Sequence, residues 1–218
     1  MAAERILETN EGIQNKLDVA VFDAFAKTMR DKGWNNVDTF LRAGIGRGEV
    51  LEIGPGPGYV GLEWLGKAPN ARLTGLEISG EMIRVAEKNA EAYGFGDRVT
   101  YVQGNGMDMP FTDGTFDAVF SNGSLHEWEK PVAVFNEAYR VLKPGGTLCV
   151  TDMRRNVSFL LKWAIYFNAR PAAIRPGYLS SLNAAYTVGE ITEVARNTRF
   201  QDVAVRKDFF GFTVTARK

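Results

Sequence analysis

Leu51-Glu52-Ile53-Gly54-Pro55-Gly56-Pro57-Gly58-Tyr59 decides the fold. The apolar run at 50–53 reads as a short strand. Three alternating glycines follow it, and then a helix over residues 60–65. Glycines at such a point let the backbone turn sharply and let a ligand approach the main chain. Strands of an open parallel sheet present ligands at their carboxyl ends, where this loop sits. A generic strand–helix turn does not require three alternating glycines.

Working outward, strands and helices alternate. Residues 73–77 read as a strand that ends on Glu77, and Ser79 is the N-cap of a helix over 80–93. Strands are expected at 99–103, 116–121 and 147–152. Pro131 opens a helix that runs to about residue 142. Two closing strands, 203–207 and 209–216, are joined by a short turn and read as antiparallel neighbours. Upstream, apolar residues at Ile13, Leu17, Val21, Phe22, Phe25, Ala26 and Met29 have helical spacing, and a second short helix covers 37–43. The alternation argues for an α/β fold, doubly wound around a mainly parallel sheet with an antiparallel last strand. Residues 154–186 break the pattern, with an apolar helix at 157–168 and a stretch through Pro171, Pro176 and Gly177. Thr187-Val188-Gly189-Glu190 is a capping box that opens a further helix. One domain is therefore expected, with a helical cap (1–45), a ligand-binding core (46–153), a helical cover (154–186) and a closing helix with strands (187–218).

Composition excludes several chemistries. The chain has 218 residues, with 26 Lys+Arg against 26 Asp+Glu, one His and one Cys. Zero net charge argues against a sequence-independent grip on nucleic acid. A single Cys forms no internal disulfide, and one His with one Cys cannot make a His/Cys metal site, so no metal is expected. The most apolar run, 159–167, is too short to span a bilayer and contains Lys162. Met1-Ala2-Ala3-Glu4-Arg5 carries no apolar signal segment, so a cytoplasmic location is the default expectation.

Two cofactors fit the glycine loop. Gly56-Pro57-Gly58-Tyr59-Val60-Gly61 satisfies the G-x-G-x-x-G dinucleotide fingerprint, and Glu77 lies at the roughly 20-residue spacing of a ribose-binding acid. NAD is thus one alternative, and with it an NAD-dependent oxidoreductase. Glu52 counts against it, because a carboxylate inside the strand end repels a pyrophosphate and suits a cationic ligand group such as an ammonium.

The loop resembles the first motif of class I S-adenosylmethionine-dependent methyltransferases. Leu76-Glu77-Ile78-Ser79-Gly80-Glu81-Met82 is similar to the family's second-strand segment. Val102-Gln103-Gly104-Asn105-Gly106-Met107-Asp108-Met109-Pro110-Phe111 is similar to its adenine loop. Phe116-Asp117-Ala118-Val119-Phe120-Ser121 and Arg140-Val141-Leu142-Lys143-Pro144-Gly145-Gly146 match its fourth strand and the turn before its fifth. Five motifs in order cover roughly residues 48–153. The nearest flavour is the small-molecule group that includes the ubiquinone/menaquinone-biosynthesis enzymes.

The resemblance implies a seven-stranded sheet and S-adenosylmethionine as cofactor, with S-adenosylhomocysteine as product. Glu52, Gly54, Pro55, Gly56 and Gly58 would hold its methionine part. Glu77 would take the ribose hydroxyls, with Ile78 and Met82 against the sugar and adenine. Gly106 and Met107 would lie along the adenine, and Asn122 and Gly123 would pass the sulfonium. Asn105 stands where the family usually has Asp, and its carbonyl oxygen still accepts a hydrogen bond, without charge. Methyl transfer from a sulfonium is an in-line displacement, for which the protein chiefly positions and desolvates.

Candidate acceptor-side residues follow the fourth and fifth strands. His126, the only histidine, is a candidate general base or a pocket wall. Trp128, Asp152, Arg154, Tyr178 and Tyr186 are candidate acceptor contacts, each weighed against plain packing or solvation. The expected partner is a small organic molecule, with no nucleic acid and no integral membrane association, and the chain is expected to be a monomer or homodimer. The functional reading is a methyltransferase acting on a small or medium organic acceptor. The alternatives are the NAD-dependent oxidoreductase and a non-catalytic S-adenosylmethionine-binding protein.

Overall fold

The computed structural model describes residues 4–7 and 13–218. The reading made above of the first residues falls partly outside them. Helix α1 (Lys16–Asp31) and helix α2 (Val37–Arg42) lead into strand β1 (Gly48–Ile53). Then come α3 (Tyr59–Lys67), β2 (Ala71–Glu77), α4 (Gly80–Tyr93), β3 (Val99–Gln103) and β4 (Phe116–Asn122). A 3₁₀ turn at Leu125–Glu127 precedes α5 (Pro131–Val141) and β5 (Leu142–Met153). The chain closes with α6 (Phe159–Asn168), α7 (Arg175–Ala184), α8 (Val188–Arg196), β6 (Val203–Lys207) and β7 (Gly211–Arg217).

The seven strands form one sheet in the order β3-β2-β1-β4-β5-β7-β6. β1 pairs in parallel with both β2 and β4, so the strand order reverses direction between β1 and β4. That reversal is where an open α/β sheet opens a crevice at its carboxyl edge. Only β7 runs antiparallel, between β5 and β6. The expected doubly wound sheet is therefore present.

Local signals explain the helices. Ser79 Oγ accepts from Met82 N and starts α4. Pro131 sits in the first turn of α5. Thr187 and Glu190 make the reciprocal capping box of α8. The sequence reading missed α7, because Pro176 and Gly177 look like breakers. Pro176 lies in the first turn, where its missing N–H costs nothing. β5 also starts earlier than expected, at Leu142, since the Lys143–Gly146 turn is drawn into the strand.

Two apolar layers sandwich the sheet. Phe40, Leu62, Trp64, Leu65 and Phe120 fill one, and Trp64 Nε1 donates to the Ile45 carbonyl. Phe116, Leu125, Phe135, Ile191 and Phe212 fill the other. Each such buried side chain contributes about 1.5–3 kcal/mol. Gly61 of α3 has a specific place here. A Cβ on it would overlap the Glu52 carboxylate and meet Leu73 Cδ2 at 2.5 Å. The third glycine of the apparent dinucleotide fingerprint thus makes room for a buried acid. Gly61→Ala is expected to destabilise the fold by about 2 kcal/mol through overpacking. Thermal melting checks this, and an unchanged midpoint would refute the packing role.

Candidate active site

The site is built at the carboxyl edge, beginning with the loop after β1. Gly54, Gly56 and Gly58 have φ of 68°, 54° and 85°, the left-handed region that side chains disfavour. Gly58 has a second constraint, because a Cβ there would meet Tyr101 Oη at 2.5 Å. A Cβ on Gly54 would likewise meet Ser124 Cβ at 2.6 Å. Ser121 Oγ and Ser124 Oγ both donate to the Ile53 carbonyl, at 2.8 and 3.2 Å. The loop after β4 is thereby fastened to the end of β1.

Glu77 closes the other side. Its carboxylate accepts from Gly56 N at 3.0 Å and from Ser79 N at 2.9 Å. Burial still holds this carboxyl above its ordinary value, against the pull of those N–H donors. Pro55 packs over Gly75, and the Ile78 carbonyl accepts from Gln103 Nε2. Met82 is buried beneath. Phe22 of α1 stands 3.4 Å from where a Gly56 Cβ would be, so the N-terminal helix lies over the loop. Ser79 Oγ donates to the Ile13 carbonyl and ties down the start of that segment.

The loop after β3 completes the edge. Asn105 Oδ1 accepts from Met107 N at 2.9 Å, so its amide forms a local turn. Its oxygen keeps a second lone pair for a ligand. Gly106 lies against Ile53 and Val134. Arg140 of α5 donates to the Met109 and Phe111 carbonyls and pairs with Glu137, which in turn accepts from Met109 N. The Arg140 motif residue therefore braces the loop from behind.

Several expected contacts are corrected. Glu52 lies beneath the loop, packed on Gly61 and Leu73, with its Oε2 unpartnered. Alternation along β1 turns it toward α3, beneath the loop it supports. Burial, reinforced by Glu77, raises its pKa to about 8. The Asn122 side chain is engaged by the protein, accepting from Asn36 Nδ2 (2.7 Å) and Thr151 Oγ1 (2.9 Å). Arg154 turns away, donating to Asn156 and to the Phe209 carbonyl. Tyr178 donates to the Lys162 carbonyl and joins α7 to α6. Tyr186 is buried under the Arg5 guanidinium, 4.1 Å from its ring centroid. Trp128 packs edge-on against Phe135 and donates to Ser124 Oγ.

Asp152 has a different role from the one expected. Its carboxylate accepts from His126 N (2.7 Å) and Met153 N (2.7 Å) and lies 3.0 Å from His126 Nδ1. A carboxylate only accepts, so Nδ1 carries the proton, and Nε2, 3.9 Å from Glu127 Oε1, is the nitrogen with a lone pair. His126 is 4% exposed. Arg5, which no sequence signal marked, donates to the His126 and Ala184 carbonyls and locks the turn in place.

The residues at this edge fit S-adenosylmethionine. The glycine loop exposes backbone, Glu77 can accept a ribose diol, and the Asn105–Met107 turn offers an acceptor for an adenine amino group. The chain also contains Tyr139-x-x-x-Lys143, a spacing used by some NAD enzymes. Lys143 pairs with Asp117 at 2.8 Å and Tyr139 packs on Phe200, so neither serves the carboxyl edge. Among the described residues no group of three or more His, Cys, Asp or Glu is placed to hold a metal.

Comparison with known proteins agrees with this geometry. Residues 51–150 match the methyltransferase domain family model. That match takes in a little under half of the chain and the central strands and loops of all five ordered motifs. The chain is 38% identical over 112 residues to the erythromycin 3''-O-methyltransferase of Saccharopolyspora erythraea, covering 51% of this chain and 37% of that protein. It is 29% identical over 166 residues to a ubiquinone/menaquinone biosynthesis C-methyltransferase of Cereibacter sphaeroides, covering 75% of this chain and 66% of that one. It therefore spans less than two thirds of either relative's length. A putative S-adenosyl-L-methionine-dependent methyltransferase from Methanococcus maripaludis has the same fold, with a TM-score of 0.76 and 22% identity over 98% of this chain and 97% of that one. The fold is that of the class I methyltransferases, as the five motifs suggested.

Two measurements test the site. Glu77→Gln removes the charge that a ribose diol would meet. It is expected to weaken S-adenosylhomocysteine binding at least tenfold, about the worth of a charged hydrogen bond. Calorimetry with an unchanged Kd would remove the assignment. Glu52 makes a prediction in pH. Its unfolded value is 4.5 and its folded value about 8. Between them the folded state binds the extra proton, so stability falls as pH rises from about 4.5 to about 8 and then levels. Glu52→Gln should flatten that decline by on the order of 4 kcal/mol, at about 1.4 kcal/mol per unit. Urea unfolding at several pH values shows this, and parallel curves for the two proteins would overturn it.

Proposed function

We propose that the chain is an S-adenosylmethionine-dependent methyltransferase acting on a small organic acceptor that must lose a proton. The observation that carries the acceptor reading is His126, held by Asp152 beside the loop that follows β4. Both acids of the cofactor reading, Glu77 directly and Glu52 through the loop, lie on neighbouring strands. Bound S-adenosylmethionine supplies an activated methyl group on a sulfonium, open to in-line displacement.

The chain's own residues do the rest. The Gly54–Gly58 backbone and Glu77 orient the cofactor end of the site. Phe22 and the α1 helix exclude water above it, which strengthens every electrostatic contact inside. His126 Nε2 accepts the proton of the acceptor's hydroxyl or acidic carbon, and Asp152 stabilises the imidazolium that results. The balanced charge supports a small acceptor rather than nucleic acid, and Asn122-Gly123-Ser124-Leu125 stands where many nucleic-acid methyltransferases carry Asn/Asp-Pro-Pro-Tyr/Phe. A cytoplasmic location goes with this reading, supported by the lone Cys149, which is a buried free thiol.

Incubation with methyl-labelled S-adenosylmethionine and a metabolite extract, followed by mass spectrometry, is expected to reveal one labelled product. No labelled product under conditions where the cofactor binds would refute the enzyme reading. With that acceptor, His126→Ala is expected to lower kcat about 100-fold. Asp152→Asn should also lower it and shift the pH profile, since an amide no longer dictates the imidazole tautomer. A kcat within twofold of wild type for His126→Ala would make His126 a wall residue.

A further inference from the structure

Helix α6, Phe159-Leu160-Leu161-Lys162-Trp163-Ala164-Ile165-Tyr166-Phe167-Asn168, has no buried residue, although Lys162 and Asn168 are its only strongly polar members. A helix that is apolar nearly all round is normally enclosed. Helical spacing places Phe159, Leu160, Trp163, Tyr166 and Phe167 on one face. The rings of Trp163 touch those of Phe159, Tyr166 and Phe167 at 5.2–6.1 Å between centroids. Phe159 is 74% exposed, Leu160 79% and Phe167 59%. Trp163 and Tyr166 are half-buried, with Arg175 of α7 over the Tyr166 ring, while Phe159, Leu160 and Phe167 stay open. Phe209, equally open at the tip of the β6–β7 turn, is tied through Arg154 to the segment that enters α6.

Charge identifies what covers it. From Met153 to Gly189 the chain has no Asp or Glu, but it carries Arg154, Arg155, Lys162, Arg170 and Arg175 in a protein of zero net charge. Arg155 pairs with Glu190. Lys162, Arg170 and Arg175 have no carboxylate partner among the described residues. They sit around the aromatic face instead. Lys162 Nζ is 5.8 Å from the Trp163 ring centroid, and Arg175 lies 5.6 Å from that of Tyr166. Arg170 and Arg175 both donate to the Phe167 carbonyl at the end of the helix.

We infer that the α6 face docks on an anionic phospholipid surface, with the aromatic arc in the acyl–headgroup boundary and the three cations at the phosphates. Bulky apolar side chains rimmed by Lys and Arg are what an interfacial helix presents to such a surface. A second copy of the chain fits less well. A two-fold contact over α6 would bring the three cations of one copy against those of the other, with no acid in the segment to balance them. The inference is independent of the methyl-transfer reading, because it rests on no residue of the carboxyl edge.

Sedimentation with vesicles tests it, using the full chain. Binding to vesicles of phosphatidylglycerol with phosphatidylcholine is expected to exceed binding to pure phosphatidylcholine at least tenfold and to fall with added salt. Phe159→Ser with Leu160→Ser should cut binding to the anionic vesicles at least tenfold, with an unchanged melting midpoint as the control for folding. Lys162→Glu with Arg170→Glu and Arg175→Glu should abolish the preference for anionic lipid. Absence of sedimentation with either vesicle overturns the inference, as does equal binding by wild type and the Phe159/Leu160 variant. A concentration-dependent dimer, lost in that variant and seen without vesicle binding, would assign the face to a second copy and overturn it too.

Discussion

The hydrogen bond from Gly56 N to the Glu77 carboxylate, together with that from Ser79 N, is the constraint on which the site depends. It joins the loop after β1 to the end of β2 across neighbouring parallel strands. A left-handed glycine places the donor there, and a side chain at Gly54 or Gly58 would meet Ser124 or Tyr101. The same loop is held from the other side, because Ser121 and Ser124 donate to the Ile53 carbonyl. Three strand ends are thus locked together at the point where the strand order reverses. Rigid backbone at that crevice presents N–H groups in fixed directions, and binding then costs little ordering.

The carboxylates around this lock are unusual in their burial. Glu52 and Glu77 are both enclosed, and burial first and the neighbouring Glu77 second make Glu52 harder to ionise. An acid kept in such a place destabilises the chain at neutral pH. Proteins tolerate that kind of local conflict mainly at sites where a ligand resolves it. A cation bound above the loop would favour ionised Glu52 through the backbone it supports, even without touching it. The buried acid and the glycine opposite it, Gly61, form one unit: removing either leaves the other without a reason.

The alternation of strands and helices was legible because its signals are local. Ser79, Pro131 and the Thr187–Glu190 box each act within a few residues, and the loop glycines announce backbone that only glycine adopts readily. Glu77 was legible because its spacing from the loop follows from strand geometry. What could not be read depends on which way a side chain turns. The packing of Glu52 on Gly61 of α3, for example, follows from strand alternation and not from the motif. Arg154 and Asp152 lie two residues apart and so share a face in an ideal strand. Yet Asp152 reaches His126, while Arg154, just past the end of β5, reaches the β6–β7 turn. Arg5 contributes three contacts across more than 100 residues of sequence, and no pattern encodes such a pairing. α7 was hidden because Pro176 and Gly177 stop helices only in their interiors.

The distribution of charge differs between the site and the α6 segment. A net charge of zero describes the whole chain, but the acids and bases are not interleaved evenly. Around the site, carboxylates are buried: Glu77 accepts from main-chain N–H groups, Asp152 meets a histidine, and Glu52 lies against Gly61 with one oxygen unpartnered. The segment from Met153 to Gly189 contains none at all, and Lys162, Arg170 and Arg175 rest on rings and on helix carbonyls. A helix C-terminus carries partial negative charge, so Arg170 and Arg175 are held there by the Phe167 carbonyl without any acid. That arrangement keeps the guanidinium groups oriented without a carboxylate partner among the described residues. An apolar face alone would be a liability for association of any kind. Rimmed by positive charge, it disfavours its own copy and favours an anionic surface, so the cover segment acquires a selectivity that neither feature has by itself.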